Sequence, residues 1–203
     1  MKFKKILTLS FYTLLILFHS KVMKKLITII ILIFSTTLSN ANDRDIQLNR
    51  LFDELKKNTP SVSSEVEQQI WLLWSKHPSN NKLTLMLSDG SKSVQNQKLK
   101  RAIVIFTEVI RLDPTWAEAW NKRATVYYMI GKFQKSQEDI DKVLELETRH
   151  FGALAGQGLV NIKLKNYEKA IKSYQMAKEI YPTMKSPIIM IEQIEEMIKR
   201  QSI

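Results

Sequence analysis

Cysteine is missing from the 203 residues, and glycine, proline and histidine are scarce, at five, five and three. Without cysteine there is no disulfide, thiol nucleophile, thiolate zinc site, iron–sulfur cluster or lipid-modified cysteine. His19, His77 and His150 stand apart, without the spacing of metal ligands, so no metal site is expected. Apolar residues make up 44% and charged residues 25%, which excludes disordered and collagen-like chains.

The net charge of +11 is unevenly spread. Six lysines and no acid fall in residues 1–41, leaving +5 for the rest. From Met23, the basic pair Lys24-Lys25, the apolar run Leu26 to Phe34 and the small-residue ending Ser39-Asn40-Ala41 form a secretory signal, expected at 23–41 and cleaved after Ala41. Residues 1–22 then read as an upstream extension, with translation expected to start at Met23. The alternative is an uncleaved leader that tethers the chain to the inner membrane, and membrane contact is expected only in that case. Either way the expected location is the bacterial periplasm. No basic run is interleaved with aromatics, so nucleic acid is not an expected partner, and Lys98, Lys100 and Arg101 read as a solvated helix edge.

A repeat of 34 residues organises the remainder. Ala102, Ser136 and Ala170 keep that step, as do Phe106, Ile140 and Tyr174, and Gly90, Ala124 and Gly158. Each unit reads as two helices joined by a tight turn, with apolar residues three and four apart and no strand-like alternation. Thr115 with Glu118 predicts a capping box, and Gly131 a left-handed turn. Small residues at 124 and 136 let two helices approach closely.

Trp120, Ala124, Tyr127, Gly131, Phe133, Ser136, Ile140 and Val143, and then Leu154, Gly158, Tyr167, Ala170, Tyr174, Ala177 and Pro182, resemble the tetratricopeptide repeat. That resemblance implies an all-α fold, a right-handed superhelical stack of helix-turn-helix repeats. The units are expected at 117–150 and 151–184, with a degenerate one at 83–116 whose stretch Ser88 to Ser93 is poor in helix formers. Residues 42–82 predict an N-terminal helical hairpin covering that weak repeat, with Ser64 capping its second helix. Residues 185–203 predict a capping helix opened by Ser186-Pro187.

No phosphate loop, nucleophile elbow or paired acid site is present, so neither catalysis nor a cofactor or small-molecule substrate is expected. Gly152, Gly156 and Gly158 read as packing glycines. The acids Glu138, Asp139 and Asp141 read as a solvated edge, His150 as a turn residue beside Arg149, and His77 as a partly charged ring suited to a helix end.

By the resemblance, the first helices of the units line a concave groove for another protein or peptide. Its candidate residues are Asn121, Thr125, Tyr128 and Met129, with Ala155, Leu159, Ile162 and Lys163 from the next unit. In the family's best-understood subgroup, lysines, an arginine and asparagines clamp a terminal carboxylate. The equivalent places here hold Leu87, Ser91, Lys122, Glu118 and Gly156, or one unit on Asn121, Thr125, Gly156 and Gly152 without a final basic residue, so such a receptor is not expected. Oligomeric state is not legible.

Overall fold

The computed structural model describes residues 21–57 and 60–201. The expected upstream extension therefore lies, over residues 1–20, outside the described residues. The helices are α1 (Lys21–Lys57), α2 (Pro60–Ser75), α3 (Asn81–Gln95), α4 (Leu99–Leu112), α5 (Ala117–Met129), α6 (Phe133–Leu146), α7 (Phe151–Lys163), α8 (Tyr167–Ile180) and α9 (Lys185–Gln201), and no strand occurs among the described residues. The chain divides at Asp45 into two units. In the first, Leu26, Ile27 and Ile29 are exposed, and the Thr28 hydroxyl donates to Lys24 O at 2.8 Å. Among the described residues no helix is long and apolar enough to cross a membrane.

From Ile46 onward, helices pair in order: α3 on α4, α5 on α6 and α7 on α8, with α9 against α8. This is the all-α repeat stack that the 34-residue step predicts. Each pair crosses at a small residue, and the size of the opposite side chain is matched to it. Phe106 lies over Gly90 and Tyr174 over Gly158, where an added Cβ would come within 2.3 and 2.5 Å of the rings. Ala124 and Ile140 occupy the same register in the middle unit and share one core cluster. Gly90 therefore gives α3 its close contact with α4 and offsets its weak helix propensity. Ser91 and Ser93 donate their hydroxyls to Leu87 O and Asp89 O within the same helix. The poor helix formers at 88–93 thus do not break the first pair.

Gly131 has φ 74°, the left-handed turn its position predicts. Gln97 and Lys165 take φ 56° and 60° at the matching turns of the other pairs. A side chain there carries a steric penalty that glycine escapes. Lys165→Gly is accordingly expected to stabilise the fold by about 1 kcal/mol, with Gly131→Ala shifting it the other way. Urea unfolding followed by circular dichroism measures both.

Three expected helix starts are corrected. Thr115 does not cap α5: its N–H and hydroxyl both donate to Asp113 Oδ1, at 2.8 and 2.6 Å, and the N-cap position is Trp116. Glu118 is turned inward instead. Ser64 lies inside α2 and Ser186 inside α9, so neither begins its helix.

The segment 46–75 does not simply cover the first helix pair. Leu48, Leu51, Phe52, Leu55, Val66, Ile70 and Trp74 are buried in one cluster with Phe151 and Tyr181, and Ile180 and Met184 pack against it. Trp116 Nε1 donates to Trp74 O at 2.9 Å, the His150 ring stacks on Trp74 at 4.0 Å, and Tyr181 OH donates to Glu67 Oε2 at 3.1 Å. Arg149 Nη1 also donates to Asn49 Oδ1 at 2.7 Å. Trp116, His150 and Met184 are 34 apart, so these two helices run along the successive inter-repeat turns. Their aromatic surface is too large to leave exposed, and the turns supply matching apolar residues at the repeat period.

Candidate protein-binding groove

The first helices of two units, α5 and α7, lie side by side, and small residues on their facing surfaces leave a hollow. Ala124, Gly152, Ala153 and Gly156 form its walls with Ser136 and Ile140 at its base, and its volume is about 80 Å³. Of the candidate groove residues, Asn121, Thr125, Tyr128 and Leu159 line this hollow. Leu159 is 38% exposed, and the Tyr128 ring leans on Phe133 at 5.6 Å. Thr125 donates its hydroxyl to Asn121 O at 3.0 Å, which ties its polar end to its own helix. Met129 and Lys163 are exposed but outside the hollow. Ile162 and Ala155 are placed differently: they pack against the cluster of Ala170, Tyr174 and Ile194 and brace α8 and α9.

One end of the groove carries a charged network that residue spacing does not reveal. Glu118 is 1% exposed and His150 is fully buried. Glu118 Oε2 accepts from Asn121 Nδ2 at 2.9 Å and from His150 Nε2 at 3.1 Å, while Lys122 Nζ sits 2.9 Å from Oε1. His150 Nδ1 accepts the N–H of Ala153, so the ring caps α7. With Nδ1 accepting, the proton resides on Nε2 and the ring is a neutral donor. Burial pushes the Glu118 carboxyl up, but the His150 hydrogen bond and the Lys122 charge outweigh it and hold the group below the usual carboxylate value.

His77 plays a related part in the turn before α3, whose N-cap is Asn80. Its Nδ1 accepts from Ser79 N and Asn80 N, and its Nε2 donates to Asp113 Oδ2 at 2.7 Å. His150 thus accepts at the start of α7, and His77 accepts from the turn that leads into α3. The acidic edge is corrected too: Asp139 is 4% exposed and takes a two-pronged bond from Arg123 at 2.8 and 2.7 Å. The signal available in the sequence was the step of 34 linking Trp116, His150 and Met184, three large residues at turns where small polar ones would be ordinary.

The glycine-rich stretch of α7 is filled by rings. Trp71 of α2 lies where a Gly152 Cβ would be, 2.5 Å from its ring, and Tyr174 occupies the corresponding space at Gly158. Trp71 also stands under the Lys122 ammonium, 5.6 Å from the ring centroid, so α2 borders the hollow at its charged end. Among the described residues no three His, Asp or Glu side chains are placed to hold a metal ion.

Comparison with known proteins addresses the ancestry of this arrangement. The family model described as tetratricopeptide repeat matches residues 117–150 and 152–184. A TPR repeat-containing protein of Rhizobium etli is 33% identical over 137 residues, covering 67% of each chain. The chain belongs to the tetratricopeptide repeat family. An Hsp70-Hsp90 organizing protein of Triticum aestivum is 28% identical over 111 residues, 55% of this TPR chain, which spans 19% of that longer relative. Among solved structures, the first TPR of Spaghetti (RPAP3), bound to an HSP90 peptide, superposes with TM-score 0.57 at 22% identity over 59% of this chain and 94% of that one. The Sgt2 TPR domain from Aspergillus fumigatus gives 0.58 at 18% identity, covering 61% and 83%. Their likeness is one of fold. The matched units are the pairs α5–α6 and α7–α8, the same two whose first helices frame the hollow.

Proposed function

We propose that this TPR protein is a non-catalytic interaction adaptor of the bacterial cell envelope, exported to the periplasm, which holds a segment of another protein along α5 and α7. The observation that carries the reading is the hollow between those helices, walled by small residues and edged by Thr125, Tyr128 and the half-exposed Leu159. Small wall residues admit an inserted side chain, and its preformed shape lowers the ordering cost of binding. The fold is shared with a TPR solved in the presence of an HSP90 peptide. A carboxylate-terminated tail is disfavoured as the occupant because Lys122, the cation at the charged end, is already paired with Glu118. Export rests on Lys24-Lys25, the apolar run that follows and Ser39-Asn40-Ala41.

Photo-crosslinking in cells tests the groove. A photoreactive residue at Leu159 is expected to capture a discrete partner that one at Glu145, on the exposed side of α6, does not. Tyr128→Glu should abolish capture while helicity by circular dichroism is retained. Equal capture from both positions would instead favour a scaffold working by its outer surface. The N-terminal sequence of the envelope-fraction protein separates the two forms: a start at Asn42 fits the exported adaptor, and an intact leader the tethered one.

A further inference from the structure

A second cleft lies between α6 and α8 and is floored by a different face of α7 from the one bearing Gly152 and Gly156. One repeat earlier the same register is plugged. There Arg123 donates to both carboxylate oxygens of Asp139 and, from Nη1, to Thr107 Oγ1 at 3.0 Å. Its guanidinium lies 5.0 and 5.6 Å from the ring centroids of Trp120 and Tyr127. Thirty-four residues on, Gln157 replaces the arginine, Ser173 its acid and Asn161 the tyrosine. Cation, acid and ring are lost together, and a cleft of about 480 Å³ stands open. That lies within the roughly 300–1,000 Å³ typical of ligand sites.

Three hydrogen bonds across this cleft are slack, although Ser173 Oγ donates to Gln157 Oε1 at 3.0 Å and Gln137 Nε2 to Asp141 Oδ1 at 2.7 Å. Gln157 Nε2 to Asp141 Oδ1, Asn161 Nδ2 to Gln137 Oε1 and Asn166 Nδ2 to Asn161 Oδ1 are each 3.4 Å, against 2.7–3.0 Å around Arg123. At that length little energy is gained, so a ligand with better-placed groups would displace them at small cost. Asn161 and Ser173, only 6% and 4% exposed, put polar groups on the cleft wall. Lys169 and Lys172, one turn apart on α8, stand exposed along it and outnumber Asp141.

The geometry points to a binding site for an acidic peptide segment, its backbone paired with the carboxamides of Gln137, Gln157 and Asn161 and its carboxylates with Lys169 and Lys172. Each carboxamide offers a donor and an acceptor, as an extended backbone requires. A neutral glycan would use the amides and leave both lysines unmatched. Single-stranded nucleic acid would need stacking platforms, and this lining holds no aromatic ring.

The test titrates the full chain with a blocked hexaglutamate peptide, following side-chain amide resonances by NMR. Blocked hexaserine, inorganic phosphate, a chitin oligosaccharide and a single-stranded oligonucleotide serve as comparison ligands. Hexaglutamate is expected to shift the Asn161 and Gln157 resonances in a saturable, salt-sensitive way that the other ligands do not reproduce. Lys169→Gln with Lys172→Gln, both exposed and fold-neutral, should weaken binding about tenfold or more. Gln157→Arg with Ser173→Asp, which copies the plug of the preceding repeat, should abolish it. No saturable shift with hexaglutamate overturns the proposal. So does equal binding by hexaserine, phosphate, the oligosaccharide or the oligonucleotide, or wild-type affinity in the lysine variant or in a folded plug variant.

Discussion

Glu118→Ala is expected to destabilise the fold by about 3–5 kcal/mol, the range for removing one member of a buried ionic network. The carboxylate serves three partners at once, Asn121, His150 and Lys122. Lys122 is partly exposed and can turn to water, but the His150 Nε2–H is fully buried and would be left without its acceptor. His150 in turn caps α7 and stacks on Trp74, so the loss reaches both the second unit and α2. Glu118→Gln, which keeps the shape and one acceptor, should cost less and also change the response to acid. The carboxyl is held below its ordinary 4.5 in the folded chain, so its contribution is complete above that value and disappears as pH falls below it. Asp113 and Glu147, likewise held low, contribute acid sensitivity of the same sign. The Gln variant should therefore lose stability less steeply than wild type below pH 4.5, though not stay flat. Urea unfolding at a series of pH values gives both numbers, and identical slopes would show that Glu118 does not titrate as a buried ion partner.

Gly158→Ala is expected to cost about 2 kcal/mol, although alanine is the better helix former. Its Cβ would stand 2.5 Å from Cε2 and Cζ of Tyr174, a buried ring held by Ile194, Ile162 and Met190 and unable to retreat. The preceding unit supplies the remedy. Adding Tyr174→Ile copies the Ala124 and Ile140 pairing and should recover most of the loss, so the coupling energy between the two sites is close to the summed cost of the two single changes. Tyr174→Phe separates ring from hydroxyl. Among the described residues the hydroxyl is buried without a hydrogen-bond partner, and burial, with the nearby Tyr128, pushes its pKa up to about 12. Its removal should be neutral or stabilising by up to about 1 kcal/mol. Chemical denaturation of wild type, Gly158→Ala, Tyr174→Ile and the double variant measures the cycle, and a Gly158→Ala protein more stable than wild type would show that the ring has room to move.

These two sites differ in how far residue order reveals them. The crossing pairs Gly90 with Phe106, Ala124 with Ile140 and Gly158 with Tyr174 are 16 residues apart within a helix pair and recur every 34, so small residues and bulky partners are visible in register. Four residues that line the hollow follow from the same periodicity: Asn121, Thr125 and Tyr128 share a face of α5, and Leu159 stands 34 residues after Thr125. Ile162 and Ala155 were misplaced because a face wide enough to touch the hollow is also wide enough to touch the next helix pair, and spacing alone does not divide it.

The network at Glu118 was hidden for a different reason. In sequence, Thr115 and Glu118 fit a capping box, worth about 1 kcal/mol at an exposed helix start. Asp113 captures Thr115 locally, Lys122 pairs with Glu118 one turn along α5, and His150 adds a buried bond to Glu118 that exists only once α7 lies beside α5. Asp139 was likewise read as solvated because its partner, Arg123, sits on another helix.

By itself the sequence determined the repeat: helix spacing, turn glycine and crossing residues are local features, each set by neighbours within one pair of helices. Only the tertiary structure decided where the aromatic faces of α2 go, which acids are buried and which face of α7 is left open. Those outcomes depend on contacts between residues far apart in the chain, such as Trp74 with His150 and Glu67 with Tyr181, whose energies outweigh local preferences once the stack has formed.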